Sequence, residues 1–323
     1  MNIGPHHLNS KVLLAPMAGT SDKPFRIMCR EQGAALTTSE MVVLQKHLLN
    51  TNKSKHRLDF SSEKSPISIQ IAGSEAEELA ESARQAVEFG AHIIDINMGC
   101  PVPKITKKGK GVALMKDINK TAKLINHIRK NIILPLTVKI RSGWDQNNLN
   151  ALEFSKMLEQ EGVDAITIHP RSRLQQFTGM SKWEIISEIV STVRIPVTGS
   201  GDVKSLSSAK SMMKKTLCNS VMIGRGSLGN PWIFNQQYLN LNDMQRESYK
   251  KNIINKHIDL IRIFFNENQL DMQIKKQLSF YAKGFKNARE FRKNLFNSKE
   301  EIDDLISFFF IEWEKNSKIL AQI

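Results

Sequence analysis

The sequence contains few cysteines, and their spacing excludes several kinds of protein. Cys29, Cys100 and Cys218 are the only cysteines among 323 residues, and no two of them form a CxxC pair. Isolated cysteines of this kind argue against a disulfide framework, a structural zinc site and an iron–sulfur cluster, and they favour a reducing compartment. We therefore predict a cytoplasmic protein without a bound metal.

Long apolar runs are also absent. No uninterrupted apolar stretch is long enough to span a membrane. The first seven residues, MNIGPHH, have neither the basic segment nor the apolar segment of a signal peptide. We therefore expect no membrane association, and nothing in the sequence indicates an obligate protein partner.

Acidic residues are too few to balance the basic ones. The 32 Asp and Glu residues face 46 Lys and Arg residues, so the net charge is +14. A balance of this sign favours a polyanionic partner such as nucleic acid. However, the chain is rich in Lys, Asn and Ile throughout, as an AT-rich genome would produce, so the charge alone is weak support.

Short apolar, β-branched segments alternate with stretches of helical period. The eight predicted strands are residues 12–15, 36–39, 67–71, 92–96, 136–140, 165–169, 195–198 and 220–223. The six predicted helices are residues 24–32, 75–89, 112–131, 149–160, 182–191 and 204–215. We interpret the polar residues 46–63 as an excursion between the second and third strands. Eight strands alternating with helices over about 230 residues indicate an α/β protein with a (β/α)8 TIM barrel.

The alternation stops after Trp232, and the rest of the chain has only helical patterns. Apolar stripes at helical spacing run through residues 257–265 and 302–311. We therefore predict two domains, a barrel formed by residues 1–240 and a small all-helical domain formed by residues 241–323.

Nearly every predicted strand ends in a polar or otherwise unusual residue. In chain order these are Pro16 with Met17, Glu40, Gln70, Asn97 with Cys100, Lys139 with Arg141, His169 with Arg171, Ser200 with Gly201 and Asp202, and Gly224 with Arg225 and Gly226. Each of them alone is compatible with an ordinary strand exit, but together they predict a ligand site at the barrel mouth. The groups after the seventh and eighth strands predict a phosphate site with Arg225 as its cation.

Two of these residues leave alternatives open. An isolated cysteine such as Cys100, at a tight turn, is more often structural than chemical. Lys139 ends an apolar strand, where a cation is costly unless it meets an anion or an electron-rich ring. It can be a Schiff-base nucleophile, the electrostatic partner of a cofactor that becomes anionic, or half of a rim salt bridge with Asp95 or Asp202.

Basic residues cluster in two places. Residues 104–111, which follow Cys100, contain four lysines and no acid. In the helical tail, Lys286, Arg289 and Lys293 have the spacing i, i+3 and i+7, which predicts one basic helical face. Both clusters are candidates for binding the phosphates of a nucleic acid, and both are also compatible with solvated lysines that reflect genome bias.

Several collinear segments resemble the tRNA-dihydrouridine synthase family, most closely its bacterial B branch. They are LAPMAG at 14–19, SEM at 39–41, IQIAG at 69–73, DINMGCP at 95–101, VKIR at 138–141, IH at 168–169, VMIGRG at 221–226 and NPWIF at 230–234. The resemblance covers the whole barrel and is weaker in the helical tail. The Asn-x-Gly-Cys-Pro segment is its most specific part.

The resemblance implies an FMN-dependent barrel that reduces the C5–C6 double bond of a uridine in the D-loop of tRNA, with NADPH or NADH re-reducing the flavin. It implies that Pro16, Met17 and Ala18 pack against the isoalloxazine, that Gln70 meets the polar edge of the ring, and that Lys139 stabilises the charge of the reduced flavin. The other implied cofactor contacts, mainly to ribityl and phosphate, are His169, Ser200, Gly201, Asp202, Gly224 and Arg225.

The resemblance also makes Cys100 the general acid. Hydride from the flavin reaches C6 of the uracil, and the thiol supplies the proton that C5 then needs. An unperturbed thiol, with a pKa of about 8.5, is mostly protonated at neutral pH, although nearby lysines would favour the thiolate. Asn97 and Arg141 are expected to orient the substrate, whose target base must leave the tRNA fold. The expected phosphate contacts are Lys104, Lys286, Arg289 and Lys293.

The chain departs from the family pattern at two positions. Ser200 stands where the family usually has Asn, so we expect weaker FMN binding rather than its loss. Pro170 stands where Gly is common, and it removes an N–H group next to His169. The B-branch resemblance implies that the modified uridine is at position 17 of the D-loop.

Other functions remain possible at this point. A dihydroorotate dehydrogenase-like flavin barrel would act on a free pyrimidine, but the basic helical tail argues against so small a substrate. Lys139 is also compatible with a Schiff-base aldolase. A catalytically silent tRNA-binding protein is a third possibility, although the retention of Cys100 and Lys139 argues against it.

Overall fold

The computed structural model describes residues 1–43 and 58–320. Residues 46–57 of the predicted polar excursion lie outside this described part. The chain divides into two compact units, Met1–Gly226 and Ser227–Ile323. The division falls earlier in the chain than residue 240, where the sequence pattern places the domain boundary.

A seven-stranded parallel sheet forms the centre of the first unit. After a short antiparallel pair, β1 (Asn2–Ile3) and β2 (His6–His7), the strands of the sheet are β3 (Val12–Leu14), β4 (Ser68–Ile71), β5 (Ile93–Met98), β6 (Leu136–Arg141), β7 (Ala165–His169), β8 (Val197–Ser200) and β9 (Ser220–Ile223). Their order in the sheet is β3-β9-β8-β7-β6-β5-β4. Nearly every strand residue is buried, as parallel strands with both faces covered require.

The second predicted strand connects the two edges of this sheet. It is present as isolated parallel bridges, from Thr37 to Leu14 of β3 and from Thr38 to Ser68 of β4. The main chain reinforces them, because the Leu14 N–H donates to the Leu36 carbonyl and the Ser39 N–H to the Ser68 carbonyl, both at 2.9 Å. The sheet therefore curls as in a TIM barrel, which confirms the predicted fold class, although the second strand is not regular.

Helices occupy the connections between the strands. They are α1 (Lys23–Glu31), α2 (Ala76–Glu88), α3 (Pro103–Thr106), α4 (Ile118–Asn131), α5 (Ala151–Gln160), α6 (Glu184–Val190) and α7 (Leu206–Thr216). The helix predicted over residues 112–131 is interrupted, because a 3-10 helix, Gly111–Lys116, precedes α4. Asp117 separates the two by capping α4, since its carboxylate accepts the Lys120 N–H.

A buried ion pair anchors α1. The guanidinium of Arg26 donates to both carboxylate oxygens of Glu63, at 2.9 and 2.5 Å, and the two side chains are each only 4% exposed. Arg26 also donates to the Ser21 carbonyl at 2.8 Å. Such a pair is stable only while both partners are present, because either charge alone would be buried without compensation.

The second unit is all-helical in its described residues, as predicted. Its helices are α8 (Asp243–Phe264), α9 (Glu267–Tyr281), α10 (Ala288–Asn297) and α11 (Ile302–Leu320), preceded by 3-10 helices at Pro231–Phe234 and Gln237–Asn240. Aromatic rings form part of its core, where Phe285, Phe291, Phe309 and Trp313 have centroid separations between 5.3 and 6.1 Å. No helix in the described residues is both long and apolar enough to cross a membrane.

Candidate active site

The carboxyl ends of the strands bring most of the predicted site residues to one rim. Parallel pairing sets Asn97 of β5 beside Lys139 of β6, and Arg141 of β6 beside His169 of β7. Side chains at paired positions on neighbouring strands point to the same face of a sheet. The candidate general acid, Cys100, lies at the turn just beyond β5.

A chain of hydrogen bonds runs from the main chain of Cys100 into the barrel. The Cys100 N–H donates to Asn97 Oδ1 at 2.9 Å, and Asn97 Nδ2 donates to Gln70 Oε1 at 2.7 Å. Gln70 Nε2 then donates to Asp95 Oδ2 at 2.6 Å, and the Thr137 hydroxyl donates to Asp95 Oδ1, also at 2.6 Å. The chain crosses β4, β5 and β6 and ends on a buried carboxylate.

Burial shifts the pKa values of the two charged groups at the centre of this rim. It raises the pKa of the Asp95 carboxyl to about 6, against the opposing effect of the hydrogen bonds from Thr137 and Gln70 and of the charge of Lys139. It lowers the pKa of the Lys139 ammonium to about 8; the neighbouring Arg141 cation lowers it further, while Asp95 opposes the shift. Both groups are therefore mostly ionised at neutral pH.

The Lys139 side chain makes no hydrogen bond or ion pair with any residue that the structure describes. Both oxygens of Asp95 are used by Thr137 and Gln70. The carboxylate of Asp202 instead accepts from Arg171, at 2.8 and 2.9 Å. The rim salt bridge of Lys139 with Asp95 or Asp202 is thus not formed, which leaves the ammonium without an ion-pair partner among the described residues.

The turn that carries Cys100 is held by its neighbours. The Val112 N–H donates to the Cys100 carbonyl at 3.2 Å, and Arg141 Nε donates to the Gly99 carbonyl at 2.8 Å. Gly111 permits this approach, because a Cβ atom at that position would lie 2.7 Å from the Cys100 carbonyl oxygen, and its φ is +64°. The turn leaves the Cys100 side chain partly exposed.

The basic segment after Cys100 is only partly available for binding. Its first residues form α3, on which Lys104 is exposed. Lys110 is buried and forms an ion pair with Glu78 of α2. One of the four lysines in this segment therefore anchors the loop, and the other three face solvent.

Arg141 links the Cys100 turn to the loop after β7. In addition to the Gly99 carbonyl, its guanidinium donates through Nη1 to the Ser172 carbonyl at 2.9 Å and the Gln176 carbonyl at 2.8 Å. Burial lowers the pKa of Arg141 to about 10, so it stays cationic at neutral pH. Its Nη2 group donates to no residue in the described part of the chain.

Phe177 is a site residue that the sequence reasoning missed. Its side chain is 51% exposed, and its ring lies 4.3 Å from Cζ of Arg225 and 5.4 Å from Cζ of Arg141. It also stacks on the His169 ring at 6.2 Å between centroids. A lone aromatic residue in the polar loop after the sixth predicted strand was the available signal.

His169 is buried and neutral. Burial holds its pKa well below the usual value, and the cations Lys139 and Arg141 act in the same direction. Arg171 Nη1 lies 3.3 Å from His169 Nε2. Because arginine can only donate, Nε2 accepts and Nδ1 carries the proton. The intervening Pro170 lies at the centre of a tight turn, in which the Arg171 N–H donates to the His169 carbonyl at 2.8 Å.

The ends of β8 and β9 contain groups suited to an anion. Gly201 has a φ of +116°, and a Cβ atom there would lie 2.2 Å from the Ser181 hydroxyl oxygen, which is buried without a hydrogen-bond partner in the described residues. Arg225 is half exposed, with its nearest carboxylate, Asp202, at 4.0 Å. The side chain of Asp202 instead holds Arg171, and its backbone is left-handed, with a φ of +57°.

The remaining predicted cofactor residues lie at the same rim. Ser200 is buried at the end of β8, while Pro16, Met17 and Ala18 follow β3 and are partly or fully exposed. A Cβ atom at Gly224 would lie 3.6 Å from Met17 Sδ, so the ends of β3 and β9 are adjacent.

The three candidate phosphate contacts of the second unit, Lys286, Arg289 and Lys293, are exposed, but the predicted single helical face is wrong in one respect. α10 begins at Ala288, so Lys286 precedes the helix, where its N–H donates to Asn316 Oδ1 at 2.7 Å. Only Arg289 and Lys293 share the helix, at i and i+4. None of the three basic side chains has an ion pair with a described residue.

The family model described as Dihydrouridine synthase (Dus) matches residues 13–313. Several curated relatives are each called tRNA-dihydrouridine synthase B. The protein from Xanthomonas axonopodis pv. citri is 37% identical over 297 residues, which is 90% of each chain. The one from Pseudomonas aeruginosa is 37% identical over 329 residues, or 99% of each chain, and the one from Pasteurella multocida is 38% identical over 328 residues, or 98% of each.

Two solved structures share the fold at low sequence identity. Histamine dehydrogenase from Rhizobium sp. 4-9 gives a TM-score of 0.57 at 12% identity, covering 80% of this chain and 50% of its own. The 6-hydroxypseudooxynicotine amine oxidase from Pseudomonas geniculata N1 gives a TM-score of 0.58 at 14% identity, covering 76% of this chain and 50% of its own. The chain thus spans half the length of either enzyme, and the likeness concerns the barrel fold alone.

Proposed function

This chain belongs to the dihydrouridine synthase family, and from that premise we propose that it reduces the C5–C6 double bond of a uridine in tRNA to give 5,6-dihydrouridine. The observation that carries the proposal is the arrangement on neighbouring strand ends. A partly exposed Cys100 lies next to Asn97, which pairs with a partly exposed Lys139 that has no partner in the described residues.

The donors at the rim fit a flavin, which we propose is FMN. Lys139 offers a cation without an ion-pair partner in the described residues, and Met17 offers an apolar contact. Beyond its bonds to Asp95 and Asn97, the Gln70 amide keeps one N–H and one lone pair. At the other end, Arg225 and the orphaned hydroxyl of Ser181 suit a phosphate. The residues that would hold FMN are Pro16, Met17, Ala18, Gln70, Lys139, His169, Ser200, Gly201, Asp202, Gly224 and Arg225.

Bound FMN would supply the electrons for reduction at C6 of the uracil and would itself be re-reduced by NADPH or NADH. Reduction at C6 leaves C5 in need of a proton. Cys100 is the donor of that proton, because it is partly exposed on a turn that is held in place. The turn is held by the side chains of Asn97 and Arg141 and by the main chain of Val112. The Nη2 group of Arg141 can donate to a uracil carbonyl, and Asn97 helps to orient the base.

Two further features support an RNA substrate. The exposed ring of Phe177, flanked by Arg141 and Arg225, offers a surface on which a base can stack. In the second unit, Lys286, Arg289 and Lys293 offer cations for the tRNA phosphates, as Lys104 does in the first. We propose position 17 of the D-loop as the target and the cytoplasm as the place of action.

The proposed function is tested with purified protein, a tRNA transcript without modified nucleosides, FMN and NADPH or NADH. Nucleoside mass spectrometry should find a uridine derivative carrying two additional hydrogen atoms. The matched control is Cys100→Ala, which should bind FMN and tRNA but lose most product. Oxidation of free dihydroorotate without any product in tRNA would instead support the small-substrate flavin barrel.

A further inference from the structure

The hydrogen-bond chain behind Cys100 has a definite direction. Each link donates toward Asp95: the Cys100 N–H to Asn97, Asn97 to Gln70, and Gln70 to Asp95. The side-chain amides of Asn97 and Gln70 can each be turned over, which exchanges their donor and acceptor ends. An ionised carboxylate only accepts, so Asp95 fixes the barrel end of the chain, while the N–H groups of Cys100 and Gly99, which only donate, fix the other end.

We infer that Asp95 is a positioning residue that fixes the orientation of both amides and thereby the turn bearing Cys100. This inference rests on the proposed function for its catalytic consequence. The carboxylate is well held for the purpose, because the Thr137 hydroxyl donates to its second oxygen and because it is 5% exposed. Although burial raises its pKa to about 6, the group is mostly ionised at neutral pH.

The consequence of losing Asp95 follows from the donor count. Without the acceptor, the Gln70 amide is free to reverse, and its NH₂ group then faces that of Asn97. Reversal of Asn97 would only move the clash, because its own NH₂ group would then face the N–H groups of Cys100 and Gly99. Loss of Asp95 therefore leaves either an unpaired NH₂ group of Gln70 or two donors facing each other within the chain. Either arrangement strains Asn97, whose Oδ1 is the acceptor that now lies 2.9 Å from Cys100 N and 3.2 Å from Gly99 N.

The first test compares Asp95→Leu with Asp95→Asn. Leucine keeps the branched shape but accepts no hydrogen bond. Asparagine can still accept from Gln70 through Oδ1 while its NH₂ group faces the Thr137 hydroxyl. We expect Asp95→Leu to lower kcat for dihydrouridine formation about 10- to 100-fold with little change in the KM for tRNA, the usual result of a displaced reactive group. Asp95→Asn should stay within a few-fold of the wild type.

A matched control separates positioning from loss of stability. Thr198→Val also removes a buried hydrogen-bonding group from a barrel strand, since the Thr198 hydroxyl pairs with that of Ser220 at 2.7 Å. We expect this variant to unfold at lower temperature than the wild type while its kcat is unchanged. An equal loss of kcat in Thr198→Val and Asp95→Leu would overturn the positioning role.

A second readout does not depend on catalysis. Cys29 and Cys218 are buried, so iodoacetamide should alkylate the native protein at Cys100, as peptide mass spectrometry can verify. We expect Asp95→Leu to change the alkylation rate at least several-fold, because Asn97, which holds the turn, is no longer supported from the barrel side. The double variant Asp95→Asn with Gln70→Glu places the carboxylate at position 70 instead of position 95. That carboxylate still accepts from Asn97 Nδ2, so Asn97 keeps its orientation. That double variant should therefore alkylate at the wild-type rate.

The outcomes distinguish this inference from the proposed function. Wild-type protein that forms no dihydrouridine would contradict the proposed function, whereas the alkylation rates would still test Asp95. A wild-type alkylation rate in folded Asp95→Leu would overturn the inference, and so would an altered rate in the double variant. The double variant retains hydrogen-bonding groups at both positions and is therefore expected to fold. If Asp95→Leu does not fold, the alkylation rate of the double variant still tests the inference.

Discussion

The lowered pKa of Lys139 leads to a quantitative prediction about flavin binding. In the flavin-free protein its pKa is lowered from 10.5 to about 8, chiefly by burial. A shift of this size costs the protonated form about 3 kcal/mol relative to water. A ligand that accepts a hydrogen bond from the ammonium, or places negative charge beside it, stabilises that form and raises the pKa again.

Linkage then determines how FMN affinity varies with pH. If the bound state keeps Lys139 protonated, the Kd is nearly constant below pH 8 and rises above it, because binding must then take up a proton. From pH 7 to pH 9 the Kd should increase about tenfold. The other groups at the rim do not explain such a change, because His169 is neutral, Asp95 is already ionised, and Arg141, with a pKa of about 10, remains charged.

The assay is fluorescence titration of FMN at constant ionic strength between pH 7 and pH 9. Both titrations use the Cys100→Ala background, so that the two proteins differ only at position 139. The matched control adds Lys139→Met, which keeps the aliphatic stem without the charge. It should bind FMN more weakly at pH 7 and show little dependence on pH. A flat profile in the presence of Lys139, or an equal slope in both proteins, would refute the reasoning.

Two further predictions concern stability and tRNA binding. Glu63→Gln should reduce the free energy of unfolding in urea by about 3–5 kcal/mol, because Arg26 remains buried without its counterion; a loss below about 1 kcal/mol, the value typical of surface pairs, would contradict the buried pair. Replacing Lys286, Arg289 and Lys293 together by Ala should weaken tRNA binding and reduce the slope of log K against log salt by about 2–3. Replacing exposed lysines of α7 serves as the control, and an unchanged slope in the triple variant would reject these contacts.

The barrel could be predicted because buried parallel strands leave a strong sequence pattern. Seven of the eight predicted segments are regular strands with ends close to those expected. The second differs because its sequence, LTTSE, places four polar residues together, and the structure uses isolated bridges there. The break at Asp117 was missed because a capping aspartate inside a continuous apolar stripe changes the helix type without interrupting the hydrophobic period.

The location of a candidate site residue was predictable where the end of a strand alone determines it. The positions of Gln70, Lys139 and Arg141 at the rim were predicted in this way, since parallel strands bring their carboxyl ends together, while their roles stay predictions. The role of Asp95 could not be found, because it depends on the register that sets Gln70 beside Asp95, and only the folded sheet fixes that register. Phe177 was missed because its place next to Arg225 is determined by the path of a loop.

The most direct test of the central claim is position-mapped nucleoside mass spectrometry of tRNA from cells that lack this gene, complemented with wild-type or Cys100→Ala protein. We predict that dihydrouridine disappears from one D-loop position in the deletion strain, that the wild-type protein restores it, and that the Cys100→Ala protein does not. Unchanged dihydrouridine in the deletion strain would contradict the proposed activity, and full restoration by Cys100→Ala would contradict the assignment of Cys100 as proton donor.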